Sequence, residues 1–276
     1  MRATLTPDGP GTLALRWSAD PAMIGDDGLD ATAWGPGADW LLARADRLAG
    51  SGDEPVTLSG ATPGAGTVVA RALRAARTFR YGASGTLYHE LLPTIVEQRI
   101  TAREAVRQWA HLCRELGRPA PGPVEIVGAM RLPPAPESLV HRPAWWFHPL
   151  GIEAKRARPL VEVARHAVKL FDWADAPSDE VATRLRWLPG VGPWTIGSVL
   201  GPALADADAV AVGDYHLPHA ITWALAGEAR GDDDRMLELL EPYRGQRGRV
   251  VHAVVRTFGT APRFGPGQRI LPMARW

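Results

Sequence analysis

Eight stretches in the last two-thirds of the chain repeat apolar residues at three- and four-residue spacing: 86–98, 101–116, 153–172, 178–187, 193–204, 217–226, 234–242 and 246–258. That spacing lines one face of an α-helix. From about residue 84 onward the chain therefore reads as an all-helical array. The Pro-rich segment 119–149 interrupts it as a long connection with little regular structure, and no fixed-period repeat organises it. Residues 1–80 read differently. Alternation over Thr12–Trp17 sits among Gly and Pro, Gly/Pro-rich stretches recur at 35–37 and 60–66, and Asp39–Ala49 has helical spacing. These residues are expected to form a small α+β domain, followed by a helical domain over 81–260 and an Arg-rich tail over 261–276.

Composition narrows the class. With 46% hydrophobic and 22% charged residues in 276, the chain can bury a sizeable core, which excludes disorder, collagen and coiled coil as global descriptions. The single cysteine, Cys113, excludes a disulfide framework, a thiolate zinc finger and a four-Cys iron–sulfur cluster within this chain, and suggests a reducing compartment. In mid-helix it reads as a small buried hydrophobe. MRATLTPDGP has no apolar core for a signal peptide, and no apolar run reaches the ~18 residues of a membrane span. No membrane partner is expected, and a cytoplasmic setting is the expectation.

Net charge is +1, but its distribution is uneven. Residues 242–276 hold seven Arg and no acid, while residues 228–241 are acid-rich, with Asp232, Asp233 and Asp234 in a row. A second basic stretch, 141–170, has six cations against Glu153 and Glu162. Such patches either track a phosphate backbone or are ordinary solvated faces; composition alone leaves both open.

Leu188-Pro189-Gly190-Val191-Gly192-Pro193-Trp194-Thr195 lies between two helical patterns. Its glycines permit positive φ, and Pro193 suits the first position of a helix. The hairpin is expected to aim free amides and a helix N-terminus at one point, a site for a phosphate; the alternative is a simple turn. Twenty residues after Trp194 stands Asp214, in Val212-Gly213-Asp214-Tyr215-His216-Leu217-Pro218. It reads either as a helix N-cap or, because Pro218 lacks an amide for its carbonyl, as a carboxylate less committed to capping.

Together with Glu97-Gln98-Arg99-Ile100-Thr101 and the stretch from Pro149-Leu150-Gly151 to Lys155-Arg156-Ala157, these motifs resemble the helix-hairpin-helix DNA glycosylase superfamily, in its 3-methyladenine-DNA glycosylase II branch. Order and spacing agree over roughly residues 85–260. The resemblance implies a mostly α fold, a helix-hairpin-helix glycosylase array with a small N-terminal α+β domain, acting as a monomer on double-stranded DNA containing a damaged base. It places the catalytic carboxylate on Asp214, where an anion stabilises the oxocarbenium-like sugar. It places Trp194 where bifunctional members carry a Schiff-base lysine. An indole forms no imine, so a monofunctional enzyme is implied.

Trp194 would line a base pocket with Tyr215 and His216, and an electron-rich indole suits an electron-poor alkylated purine. Trp145 and Trp146 read as a stacking wall for that base or as a core aromatic cluster. DNA contacts are implied at Gly190, Val191, Gly192 and Thr195 of the hairpin and at Gln98 and Arg99. Arg99 stands where the closest branch carries an apolar wedge that fills the gap left by the flipped base; its other reading is an exposed Arg at a helix end. No cofactor is required. The family's hairpin holds a monovalent cation, Na+ or K+, by main-chain carbonyls matching Arg186, Leu188 and Val191.

His216 and His219 flank the acid, although the family needs neither as metal ligand nor as acid–base partner. Ser198 lacks the surroundings of a nucleophile elbow. The expected activity is monofunctional release of a damaged, alkylated purine in base excision repair. The rival reading is a non-enzymatic helix-hairpin-helix DNA-binding module in which Asp214 only caps a helix; a hydrolase or transferase on a small molecule has no motif in support.

Overall fold

The computed structural model describes residues 1–17, 29–53 and 65–259. The Arg-rich tail, with Arg263, Arg269 and Arg275, and residues 60–64 of the second Gly/Pro-rich stretch lie outside the described residues. The fold is mostly α with one small sheet, as expected. Strands β1 (Arg2–Thr6), β2 (Gly9–Trp17) and β3 (Leu29–Trp34) form an antiparallel meander in which Leu13 pairs with Arg2 on one side and Ala33 on the other. The alternation read over Thr12–Trp17 lies in β2.

Short helices α1 (Ala38–Leu42) and α2 (Ala45–Ala49) follow, then α3 (Ala65–Ala75). Next come α4 (Leu87–Glu97) and α5 (Ala102–Leu116). The Pro-rich connection contains two single-turn helices, α6 (Val124–Val127) and α7 (Pro136–Leu139), and a 3₁₀ segment, Ala144–Leu150. Helices α8 (Ala154–Arg165), α9 (Ala167–Asp172), α10 (Ser178–Leu185), α11 (Pro193–Leu204), α12 (Leu217–Ala226), α13 (Asp233–Leu240) and α14 (Arg247–Phe258) complete the array. The periodicity over 153–172 is two helices. His166 leaves the helical region at φ −102°, ψ 10°, and its amide is shared between the carbonyls of Glu162 (3.3 Å) and Val163 (3.2 Å). Thr101 caps α5: its Oγ1 accepts the Glu104 amide at the start of the helix.

Two cores hold the array. The first is built around α4, whose Leu87, Tyr88, Leu91, Leu92, Ile95 and Val96 are all fully buried against α5, α8, α9 and α11. The second joins Val69 and Ala72 of α3 to Ile221 of α12, Met236 of α13 and Val250 and Val254 of α14. Ala3 and Leu5 of β1 belong to the first core, so residues 1–80 divide between the two. Buried Arg156 of α8 clamps the first core, donating to the Val96 carbonyl (2.6 Å), Gln108 Oε1 (2.7 Å) and the Gly151 carbonyl (2.9 Å). It thereby fixes the end of α4, from which the next turn springs.

Candidate functional site

The loop between α10 and α11 is anchored by two buried side chains, Leu188 and Val191, which sit in the first core. Gly190 has φ +84°, and a Cβ there would meet Pro159 Cγ of α8 at 2.2 Å; only glycine satisfies both conditions. Gly192 is extended, at φ −98° and ψ −176°, so the turn needs positive φ at one of the two glycines. Pro193 opens α11, as expected, and no side chain caps it. Among the described residues the amides of Gly190, Gly192, Trp194 and Thr195 have no acceptor. They gather at a helix N-terminus, the arrangement that receives an anion. Val191 departs from the expected DNA-binding set: its amide donates to the Leu188 carbonyl at 3.0 Å and its side chain is buried.

Gln98 and Thr195 are brought together in another role. Gln98 Nε2 donates to the Gly190 carbonyl (3.0 Å) and to Thr195 Oγ1 (2.9 Å), stapling the end of α4 to the hairpin, and the Thr195 side chain is 2% exposed. A buried, engaged hydroxyl cannot reach a phosphate, so Thr195 offers only its amide. The next residue, Arg99, is exposed at the tip of the turn 97–100, closed by the Ile100 amide on the Glu97 carbonyl at 3.3 Å. Gln98 at φ −51°, ψ 124° and Arg99 at φ +63° make this a type II turn, whose third position favours glycine. An arginine held there is strained.

Asp214 lies opposite the first turn of α11. Its Oδ2 accepts the indole N–H of Trp194 at 3.0 Å, and its Oδ1 accepts the amides of His216 (2.7 Å) and Leu217 (2.9 Å) at the start of α12. Oδ1 thus serves the two amides that lead into α12, whose N-cap is His216, while Oδ2 of this half-buried residue faces the Trp194 indole. Gly213, at φ +92°, precedes it and donates its amide to Asp233 Oδ1 at 3.0 Å. The acid run was legible only as a charge cluster. In the fold, Asp232 caps α13 and Asp233 holds the loop that carries Asp214.

Glu97 was not singled out by the sequence. Burial first, and then the nearby charge of Asp214, push its carboxyl above the ordinary glutamate range, so a second carboxyl shares this site. Tyr215 is 79% exposed and packs edge-on against His216 (4.9 Å) and His219 (6.1 Å). His219 Nδ1 accepts the Gly231 amide at 3.2 Å, a structural task, and no metal-holding group of three His, Cys, Asp or Glu occurs among the described residues. Ser198 bonds back to the Trp194 carbonyl at 2.8 Å.

Trp145 and Trp146 belong to the 3₁₀ segment, which packs on α8 and α5. Trp146 is half-buried, edge-on to Phe147 and under the Arg142 guanidinium at 4.4 Å; Trp145 is 74% exposed. No hydrogen bond or aromatic pair joins either to Trp194 or Asp214 among the described residues. A further indole that sequence reasoning passed over, Trp187, is 83% exposed within the hairpin loop.

The two basic stretches differ. In the C-terminal one, Arg244 pairs with Glu241 (2.6 Å), Arg247 with Asp208 (2.5 Å) and Arg249 with Asp53. On α8, Lys155 and Arg158 are exposed and form no ion pair among the described residues. No described helix is long and apolar enough to cross a membrane.

No protein-family model matches the sequence, and no curated protein matches it. Solved structures do. A 3-methyladenine DNA-glycosylase from Archaeoglobus fulgidus superimposes with a TM-score of 0.68 at 15% identity, over 93% of this chain and 87% of that one. A Schizosaccharomyces pombe 3-methyladenine DNA glycosylase in complex with abasic DNA gives 0.55 at 15% identity, over 72% and 93%. An 8-oxoguanine glycosylase/lyase from Clostridium acetobutylicum gives 0.61 at 11% identity, over 87% and 88%. The chain shares the fold of these DNA glycosylase structures.

Proposed function

We propose that this chain is a monofunctional DNA glycosylase that flips a damaged, alkylated purine from duplex DNA and hydrolyses its N-glycosidic bond. The observation that carries this reading is the pairing of Asp214 with Trp194 at the first turn of a helix whose leading amides are free. A phosphate at those amides would bring the adjoining sugar to the carboxylate. As the bond to the base breaks, its electron pair leaves with the base, and a cationic alkylated purine departs neutral. The sugar carbon becomes cationic, Asp214 stabilises it, and water adds to it with loss of a proton. Trp194 holds the carboxylate through its N–H and offers its face to the extruded base.

Absence of lyase chemistry is supported by residue type. The chain's only lysines are Lys155 and Lys169, on α8 and α9, and the hairpin position beside Asp214 is an indole. The carbonyls of Arg186 and Val191 accept no hydrogen bond among the described residues and that of Leu188 accepts one, so lone pairs remain on these oxygens for the Na+ or K+ of this reading. Bound there, the cation would add positive potential beneath the phosphate.

A DNA-binding module without activity is favoured by the capping bonds of Asp214 to the His216 and Leu217 amides. Asp214→Asn separates the two readings. Asparagine keeps an oxygen for both amides but accepts nothing from Trp194 at its nitrogen and carries no charge, so stability changes by only about 1 kcal/mol. Free-base release from methylated duplex DNA should fall at least about a hundredfold, with DNA affinity retained and strand breaks only after alkali. Release unaffected by the substitution would exclude Asp214 as the catalytic group; breaks without alkali would exclude the monofunctional assignment.

A further inference from the structure

On the side of the hairpin defined by α8, the surface opens into a groove of about 580 Å³ lined by Arg142, Lys155, Arg158, Arg165, Pro189 and Gly190. The cations of α8 are not scattered. Lys155, Arg158 and Arg165, at i, i+3 and i+10, form one stripe with Glu162 at i+7, on the face opposite the buried Leu160 and Ala164. Glu162 is the single acid in the lining, and it is engaged by Arg165 at 3.1 Å. Arg142 is ordered in advance by its stack on Trp146 and its bond to the Ser138 carbonyl at 3.3 Å. Four cations thus face one acid, and Lys155 and Arg158 have no carboxylate partner among the described residues. Arg244, Arg247 and Arg249 of the C-terminal stretch, by contrast, pair with carboxylates.

Concentrating like charges without counter-ions costs stability, and a polyanion laid in the groove would offset it. The groove's far wall is Pro189 and Gly190, so it runs directly into the loop with the free amides. Ten residues of helix extend about 15 Å. A strand of duplex presents one phosphate per ~3.4 Å of axis, so the stripe matches several consecutive phosphates and exceeds any single small anion.

We propose that this groove is a second phosphate-binding surface, continuous with the hairpin, that carries the sugar–phosphate backbone of the DNA flanking the site of base extrusion. The proposal rests on the DNA glycosylase reading and extends it from the hairpin to α8. Side chains contact phosphates and no base edges, so the surface adds affinity and register without sequence preference.

The test is binding of wild type, K155A/R158A and R114A/R118A to two lesion-containing duplexes, one ending at the hairpin and one continuing past it, measured by fluorescence anisotropy over a salt series. Arg114 and Arg118 are exposed, without hydrogen-bond partners for their side chains among the described residues, near the far end of α5, and serve as a charge-matched control. On the long duplex K155A/R158A should lower the slope of log K against log salt by about 2. On the short duplex it should match wild type, and R114A/R118A should match wild type on both. Unchanged slopes, equal losses on both duplexes, or the same loss in the control overturn the groove while wild-type binding and base release stand. Wild type that binds neither duplex and releases no base overturns the glycosylase reading, and the groove with it.

Discussion

Replacing Arg99 by glycine should make the protein more stable and less active at once. A left-handed backbone costs an L-residue about 1–2 kcal/mol, and Arg99 adopts it at φ +63° with an exposed side chain that makes no hydrogen bond among the described residues. Glycine removes that strain but loses about 0.5–1 kcal/mol of additional chain entropy on folding. The net gain is roughly 0.5–1 kcal/mol. At roughly 2–4 °C per kcal/mol for a chain of this size, the thermal midpoint rises by about 1–4 °C.

Activity should move the other way. On the proposed function the Arg99 side chain, next to the Gln98 staple to the hairpin, fills the gap left in the duplex, and extruding a base costs a few kcal/mol. Losing the filler that offsets part of this should slow base release at least about tenfold, which corresponds to only 1.4 kcal/mol. Differential scanning fluorimetry and single-turnover base release on methylated duplex DNA measure the two effects. Arg99→Asn, tolerant of the left-handed region but short, should behave like glycine; Arg99→Leu should keep the strain and much of the activity. A more stable Arg99→Gly with full activity would refute the wedge, and a destabilised one would refute the strain.

Gly190→Ala should cost about 2–5 kcal/mol, from left-handed strain and overpacking against Pro159, and weaken DNA binding; an unchanged denaturation midpoint would contradict the turn geometry. Arg156→Lys should lose about 2–4 kcal/mol, because one ammonium cannot span the Val96, Gln108 and Gly151 acceptors; a loss under about 0.5 kcal/mol in urea denaturation would show that the clamp is dispensable. Glu97 is held above the ordinary glutamate range, so the folded state binds its proton more tightly than the unfolded chain, and stability declines as pH rises through that interval. Glu97→Gln should therefore melt higher than wild type at neutral pH and converge with it in acid; convergence at neutral pH and divergence in acid would reverse the assigned sign.

The helical array was legible because its signal is local. Periodic apolar positions placed α12 over residues 217–226 and α11 over 193–204 with the boundaries observed. Helix α3 escaped because AGTVVARALRA follows a Gly/Pro-rich stretch, and its partners Val250 and Val254 lie far along the chain. The chemistry divided in the same way. Asp214 and the hairpin declared themselves through spacing, but the hydrogen bonds of Gln98 and Thr195 cross 92 and 97 residues, and no local pattern encodes such pairings. Composition left the role of the C-terminal arginines open, because the acceptors of Arg247 and Arg249, Asp208 and Asp53, lie in distant segments.

The second core has a consequence for how the protein is made. Helix α3 packs against α14, and Asp53 meets its partner Arg249 across 196 residues. At about 5–20 residues per second, a ribosome needs roughly 10–40 s between delivering one partner and the other. Through that interval Val69 and Ala72 have no surface to close against, while β1 and α4 already have much of theirs. The nascent chain therefore emerges with its first core able to form and an early helix waiting for the last one. Truncations that stop short of α14 should leave that apolar face open, and it is there that premature termination would most readily produce aggregation.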